Sequence, residues 1–216
     1  MRKNVVILDY GIGNIKSIAN ALVDVDANPI LSKEKSEIMK ADALILPGVG
    51  AFKKGMDNLN SFNLVPIIHE FVATGKPFLG ICLGMQMLLE ESEEFGLTKG
   101  LGLIKGKVVR MPIESDQVKL PHVSWNELEK PTVERWRDTI LENINEFSDV
   151  YFVHSFVAEP GNPQDILATS KYGGRNFCAA VQYANVTGTQ FHPEKSGKVG
   201  LTILSDFLNS KHKSNA

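Results

Sequence analysis

The chain has 216 residues, the size of one large domain, and its 43% apolar against 22% charged residues supply a core and exclude a disordered polymer. Twenty-three basic against 25 acidic side chains leave a net charge of −2, without the basic excess of a nucleic-acid binder. Cys82 and Cys178 cannot form a disulfide framework, and with no Cys-x-x-Cys or Cys/His cluster no metal or other cofactor is expected. The apolar stretch 5–8 is too short for a signal peptide. The longest apolar run, 78–89, contains two glycines and Gln86 and falls short of a membrane span, so the expected setting is cytoplasmic with no membrane contact.

Residues 4–8 form a β-branched run ending in Asp9-Tyr-Gly-Ile-Gly-Asn14, which reads as strand, then turn. Asn14 can cap a helix whose apolar residues Ile15, Ile18, Ala19, Leu22 and Val23 recur at helical spacing. Gly11-Ile-Gly13 after a strand opens like a dinucleotide fingerprint, but Lys16 stands where the third glycine belongs, and a nucleotide site is rejected. Residues 43–46 make a buried-type strand stopped by Pro47-Gly-Val-Gly50. A helix over 64–74, a strand over 77–81 and a helix over 83–93 follow. This alternation predicts an α/β fold, a mostly parallel sheet flanked by helices on both faces.

Beyond Gly100 the pattern changes. Segments 107–110, 150–157, 166–170 and 177–183 read as strands joined by short turns, the last continuing toward 188–191, and 197–208 as an amphipathic helix. The reading is an antiparallel extension within a single domain, 1–210, followed by a polar tail, 211–216.

Gly80-Ile-Cys82-Leu-Gly84 lies between a predicted strand and a predicted helix, the context of a nucleophile elbow. The glycines allow close backbone approach. The central cysteine is then held at a sharp turn with its sulfur exposed above the sheet, where the helix N-terminus favours the thiolate. Cys178, in Phe177-Cys-Ala-Ala-Val181, has no such turn and reads as core.

A thiolate nucleophile needs a base and a group to orient that base. Gln190-Phe-His192-Pro-Glu194 offers both. Pro193 biases His192 toward extended geometry, and residues two apart in an extended chain share a side, so Glu194 can hold the imidazole. His69, in a helix, and His212, in the tail, read as solvated.

These segments resemble the class I, triad-type glutamine amidotransferases. The match is carried by Gly80-Ile-Cys-Leu-Gly-Met-Gln86 and Gln190-Phe-His-Pro-Glu194. Asp9 to Asn14, Pro47-Gly-Val-Gly-Ala-Phe52, Pro121-His-Val-Ser-Trp-Asn126, Tyr151-Phe-Val-His-Ser155 and His192-Pro-Glu-Lys-Ser196 narrow it to the glutaminase subunits of imidazole glycerol phosphate synthase. The resemblance implies a flavodoxin-like fold and a Cys82-His192-Glu194 triad that hydrolyses glutamine. It implies an oxyanion hole from the N–H of Leu83 and one from the 47–50 loop at Val49 or Gly50. It also implies a glutamine pocket with Gln86, Glu94, His154 and Ser155.

The motifs occupy residues 9 to 196, leaving no room for a domain that would consume ammonia. The resemblance makes the acceptor a separate (β/α)₈-barrel cyclase subunit, docked as a heterodimer over Trp125, Asn126, Tyr151 and Lys195. The partner would complete the oxyanion hole. Ser124 departs from the family pattern, which carries glycine there. Paralogues that feed sugar-modifying synthetases, or a stand-alone hydrolase of γ-glutamyl compounds, would use the same triad.

Overall fold

The computed structural model describes residues 2–113 and 118–209; the tail expected at 211–216 lies outside them. The first half consists of β1 (Asn4–Leu8), α1 (Ile15–Asp24), β2 (Asn28–Ser32), α2 (Lys35–Lys40), β3 (Ala43–Leu46), α3 (Phe52–Ser61), α4 (Leu64–Ala73), β4 (Phe78–Ile81) and α5 (Leu83–Met87). Short strands β5 (Glu91–Ser92), β6 (Thr98–Lys99) and β7 (Gly106–Arg110) follow, then β8 (His122–Glu127) and β9 (Asp149–His154). The chain closes with β10 (Phe156–Pro160), β11 (Ile166–Tyr172), β12 (Arg175–Tyr183), β13 (Val186–Thr189) and α6 (Gly197–Asn209).

The main sheet runs β2-β1-β3-β4-β13 in parallel and then turns antiparallel through β12, β10 and β7. Both faces are covered. Val5 and Ile7 of β1 pack with Ile18 and Leu22 of α1 and with Ile203, Leu204 and Phe207 of α6. Val6 and Leu8, one pleat over, pack with Phe52, Leu59, Ile68 and Phe71 of α3 and α4. Doubly wound sheets of this order place their ligand crevice at the carboxyl ends of the strands. The loops 9–14, 47–50 and 190–194, and Cys82 itself, all leave strand ends on that edge.

Five expectations change in detail. Asn14 precedes α1 but makes no side-chain cap; with φ −88° and ψ 66° it contributes only its carbonyl, to Ile18. Val23, placed on the apolar face, is half exposed. The helix expected over 83–93 stops at Met87. The backbone N–H groups of Leu101, Gly102 and Leu103 take the carbonyls of Met87, Leu89 and Leu88, so the helix end is satisfied by a crossing segment. The strand expected over 150–157 is two strands in two sheets. β9 pairs only with β8, β10 joins the main sheet, and Ser155 marks the break. The run expected to continue from 183 to 191 turns back at Ala184 (φ 51°), making β12 and β13 a hairpin. No helix among the described residues is long and apolar enough to cross a membrane.

Candidate active site

Cys82 sits between β4 and α5 with φ 54° and ψ −108°, a conformation that costs a non-glycine residue energy and persists only where its surroundings impose it. Gly80 and Gly84 impose it. A Cβ on Gly84 would lie 1.9 Å from the Leu46 carbonyl oxygen, and one on Gly80 would lie 2.6 Å from the Gly84 oxygen. The turn is therefore packed hard against β3. The sulfur is not exposed above the sheet, as the elbow reading had it, but buried at the wall of a cavity.

That cavity, about 340 Å³, is lined by Val49, Gly50, Cys82, Leu83, Gln86, Glu94, Pro121 and residues 153–156. Its size is at the low end for ligand sites, suited to a single amino acid. Each part traces to the sequence. Gly48 is needed for close approach, since a Cβ there would lie 2.8 Å from Leu83 Cβ, whereas Gly50 alone in this loop takes positive φ, 97°, with open space around it. Leu83 N–H opens α5 and, like the first amides of any helix, has no intrahelical partner. Glu94 at the rim accepts from the N–H of Phe52 at 2.6 Å, closing the start of α3.

His192 lies beside Cys82, its Nδ1 2.8 Å from Glu194 Oε1, with both side chains almost fully buried. The contact expected between the two is present, but the local geometry differs. His192 is extended, while Pro193–Lys195 forms one turn of 3-10 helix that swings the carboxylate back onto the ring. Burial works to lower the imidazole pKa, and the interactions with the Cys82 sulfur and with Glu194 overcome it, pushing it up to about 10. Folded His192 thus holds a proton that the unfolded chain releases near 6.5. Between these values the folded state binds more protons, so its stability falls as pH rises. Thermal melts at pH 7 and pH 10 should show the parent losing several degrees more than a His192→Gln variant, at roughly 2–4 °C per kcal/mol for a chain of this size. Equal losses in both would discard the shared proton.

His154 donates from Nδ1 to the carbonyl of Phe156 at 3.0 Å, which leaves Nε2 as an acceptor facing His122 Nδ1 at 3.1 Å. Burial and the neighbouring His122 push its pKa down to about 3, making it a neutral wall of the cavity. Burial also lowers His122. Ser124 lies in β8 without positive φ, so serine is tolerated there, and its hydroxyl donates to Asn126 Oδ1 at 2.5 Å.

Three of the four candidate docking residues cluster. Trp125, half exposed, meets Tyr151 edge-on at 5.9 Å, and the Lys195 ammonium lies 5.6 Å over the Tyr151 ring. Asn126 does not join them. It falls on the opposite pleat of β8, within 2.7 Å of His122 Nε2, and donates to the Lys171 carbonyl at 2.8 Å. His69 is exposed, and Cys178 is buried, its thiol pushed up to about 12 by burial.

Three polar side chains that sequence reasoning left without a role converge here. Tyr10, at the end of β1, donates to the Pro47 carbonyl at 2.5 Å and fixes the 47–50 loop. Ser196 donates to the His192 carbonyl at 2.7 Å and accepts from Tyr151 N–H. Gln190 donates to the Cys82 sulfur at 3.7 Å. All three lie within the quoted motifs, which was the only signal available.

A family model described as glutamine amidotransferase class-I matches residues 6–210. The chain belongs to the class I glutamine amidotransferases. Within that family it is 51% identical to imidazole glycerol phosphate synthase subunit HisH 1 of Legionella pneumophila (strain Lens), over 95% of this chain and 98% of that protein. It is 44% identical to the HisH subunit of Syntrophotalea carbinolica, over 94% and 98%. A crystal structure of a glutamine amidotransferase superposes with a TM-score of 0.72 at 19% identity, covering 95% of this chain and 98% of that one. The structure of PurLQS from Thermotoga maritima gives 0.72 at 21%, covering 97% and 99%. At such identities the likeness establishes the class I amidotransferase fold, with the parallel sheet and antiparallel portion read from the sequence. This amidotransferase is an enzyme.

Proposed function

We propose that this amidotransferase hydrolyses glutamine with Cys82, His192 and Glu194 and passes the ammonia to a separate cyclase subunit. That subunit, a (β/α)₈ barrel, would make imidazole glycerol phosphate and aminoimidazole carboxamide ribotide in cytoplasmic histidine biosynthesis. One observation carries the reading. In a chain half identical to HisH subunits over nearly its whole length, the sulfur, the imidazole and the carboxylate converge beside a cavity of amino-acid size.

The chemistry follows from the groups present. The Cys82 thiolate attacks the side-chain amide carbon of glutamine, and the carbonyl electrons move onto oxygen. The N–H of Leu83 and one amide of the 47–50 loop are the donors for that oxyanion, worth on the order of 10²–10³ in rate per donor. The imidazolium of His192 gives its proton to the departing ammonia, leaving a γ-glutamyl thioester. His192 then takes a proton from water, which attacks the thioester and releases glutamate and the thiol. Glu194 holds the ring throughout. Gln86, Glu94, His154 and Ser155, all of which line the cavity, would hold the glutamine.

Trp125, Tyr151 and Lys195 would form the docking face. The test is to add a cyclase subunit and measure glutamine hydrolysis and the two products, with each side's substrate present and then omitted. Partner and acceptor substrate together should raise hydrolysis on the order of 10²-fold, the size of one completed donor. Full turnover by the chain alone, unchanged by the partner, would reject the coupling.

A further inference from the structure

The side chain of Gln190 takes no part in the chemistry above, yet it is fully buried against the nucleophile. Which end of its amide faces the sulfur can be settled from its neighbours. The Phe156 carbonyl can only accept, so the group 3.1 Å from it on Gln86 is the amide NH₂. That same NH₂ lies 3.0 Å from Gln190, whose oxygen must therefore be the acceptor. The remaining end of Gln190, its own NH₂, is left facing Cys82 Sγ at 3.7 Å. A one-way series of donors, anchored on a backbone carbonyl, thus ends in an N–H aimed at sulfur.

The titratable groups facing this sulfur are the His192 imidazole and the Tyr10 phenol, and both stay in place when Gln190 is changed. Its other uncharged polar neighbour is of opposite kind. The Val153 carbonyl lies 3.8 Å away and can only accept, so it serves the protonated thiol. An N–H donor serves the charged sulfur, because hydrogen bonding to the ionised form favours that form. Building on the role assigned to Cys82 above, we propose that Gln190 is a positioning residue that donates to the Cys82 sulfur and holds it as the thiolate aimed into the cavity, with Gln86 fixing the direction of the amide.

Such a donor has a signature that a merely structural contact lacks. It raises the thiolate fraction but also quiets the thiolate, since nucleophilicity falls with pKa at a Brønsted slope of about 0.4–0.5. Removing it should move the inflection of Cys82 reactivity up by about one pH unit. Below the inflection reactivity should fall about three- to fourfold, and on the alkaline plateau it should rise about threefold, so the two pH profiles cross.

The experiment is alkylation of the full-length chain by iodoacetamide across pH, with modification of the Cys82 peptide followed by mass. Buried Cys178 serves as the internal control. Gln190→Leu removes the donor, and Gln190→Met removes it with an unbranched side chain of nearly the same length and no charge, in case the branched variant does not fold. Raised inflections with crossing profiles in a variant that melts like the parent support the assignment. An unchanged inflection in a folded variant, or a uniform loss at every pH, overturns it. Alkylation requires no glutamine, so this result is independent of whether Cys82 is the hydrolytic nucleophile.

Discussion

Replacing Cys82 with alanine should lower glutamine hydrolysis by on the order of 10⁴-fold or more while leaving the fold in place. Without sulfur no thioester can form, and the oxyanion donors and the imidazole have no covalent intermediate to serve. The backbone should survive because the strain at φ 54° comes from the flanking glycines and β3, and alanine meets that strain on the same terms as cysteine. Two buried partners, the Gln190 amide and the Val153 carbonyl, lose their contact with the sulfur. That costs about 1–3 kcal/mol, a drop in Tm of roughly 2–12 °C. Steady-state hydrolysis with the partner present, read beside a thermal melt, checks both halves. Retention of more than a tenth of the parent rate in a folded variant would remove Cys82 from the mechanism.

The second large effect is expected at a residue that touches no substrate. Glycine inside a helix normally costs about 1 kcal/mol relative to alanine, so Gly200→Ala in α6 should, on propensity alone, stabilise the protein. Packing reverses the sign. A Cβ at Gly200 would lie 1.8 Å from the Pro193 carbonyl oxygen and 2.7 Å from its carbon, inside the turn that joins His192 to Glu194. Either α6 or the turn must move. Overpacking costs of about 1–3 kcal/mol are expected, with a Tm lowered by roughly 2–12 °C. Displacing the imidazole by about 1 Å should cost on the order of 10²-fold in kcat. A variant as stable and as active as the parent would mean that α6 does not set the position of that turn.

What the sequence revealed and what it concealed have a common physical cause. Strands buried on both faces, such as β1 and β3, are continuous apolar runs and were plain. The edge strand β2 carries Pro29 and a half-exposed Leu31, and α3 mixes lysines, asparagines and Gly55 with few apolar anchors, so neither stood out. α5 was drawn too long because apolar residues continue past Met87; only the crossing segment at 100–104 ends it. The elbow and the pairing of His192 with Glu194 were legible because their constraints are local, although the 3-10 turn that makes this pairing was read as extended chain. The break at Ser155 and the donor series from Phe156 through Gln86 to Gln190 depend on strands far apart in the chain, and no periodicity records them.

The ribbon strand β9 offers the cysteine and the histidine main-chain acceptors: the Tyr151 carbonyl accepts from His192 N–H at 3.0 Å, and the Val153 carbonyl lies against the sulfur, while the Tyr151 ring sits 6.4 Å from the imidazole. So long as the ladder with β8 keeps its alignment, exchanging the Val153 side chain leaves both of these hydrogen-bonding contacts in place. A slip of a single residue would be another matter. Neighbouring peptides in a strand face opposite ways, so it would present an amide hydrogen where the thiol now finds an oxygen, and it would do so without changing one atom of the catalytic side chains.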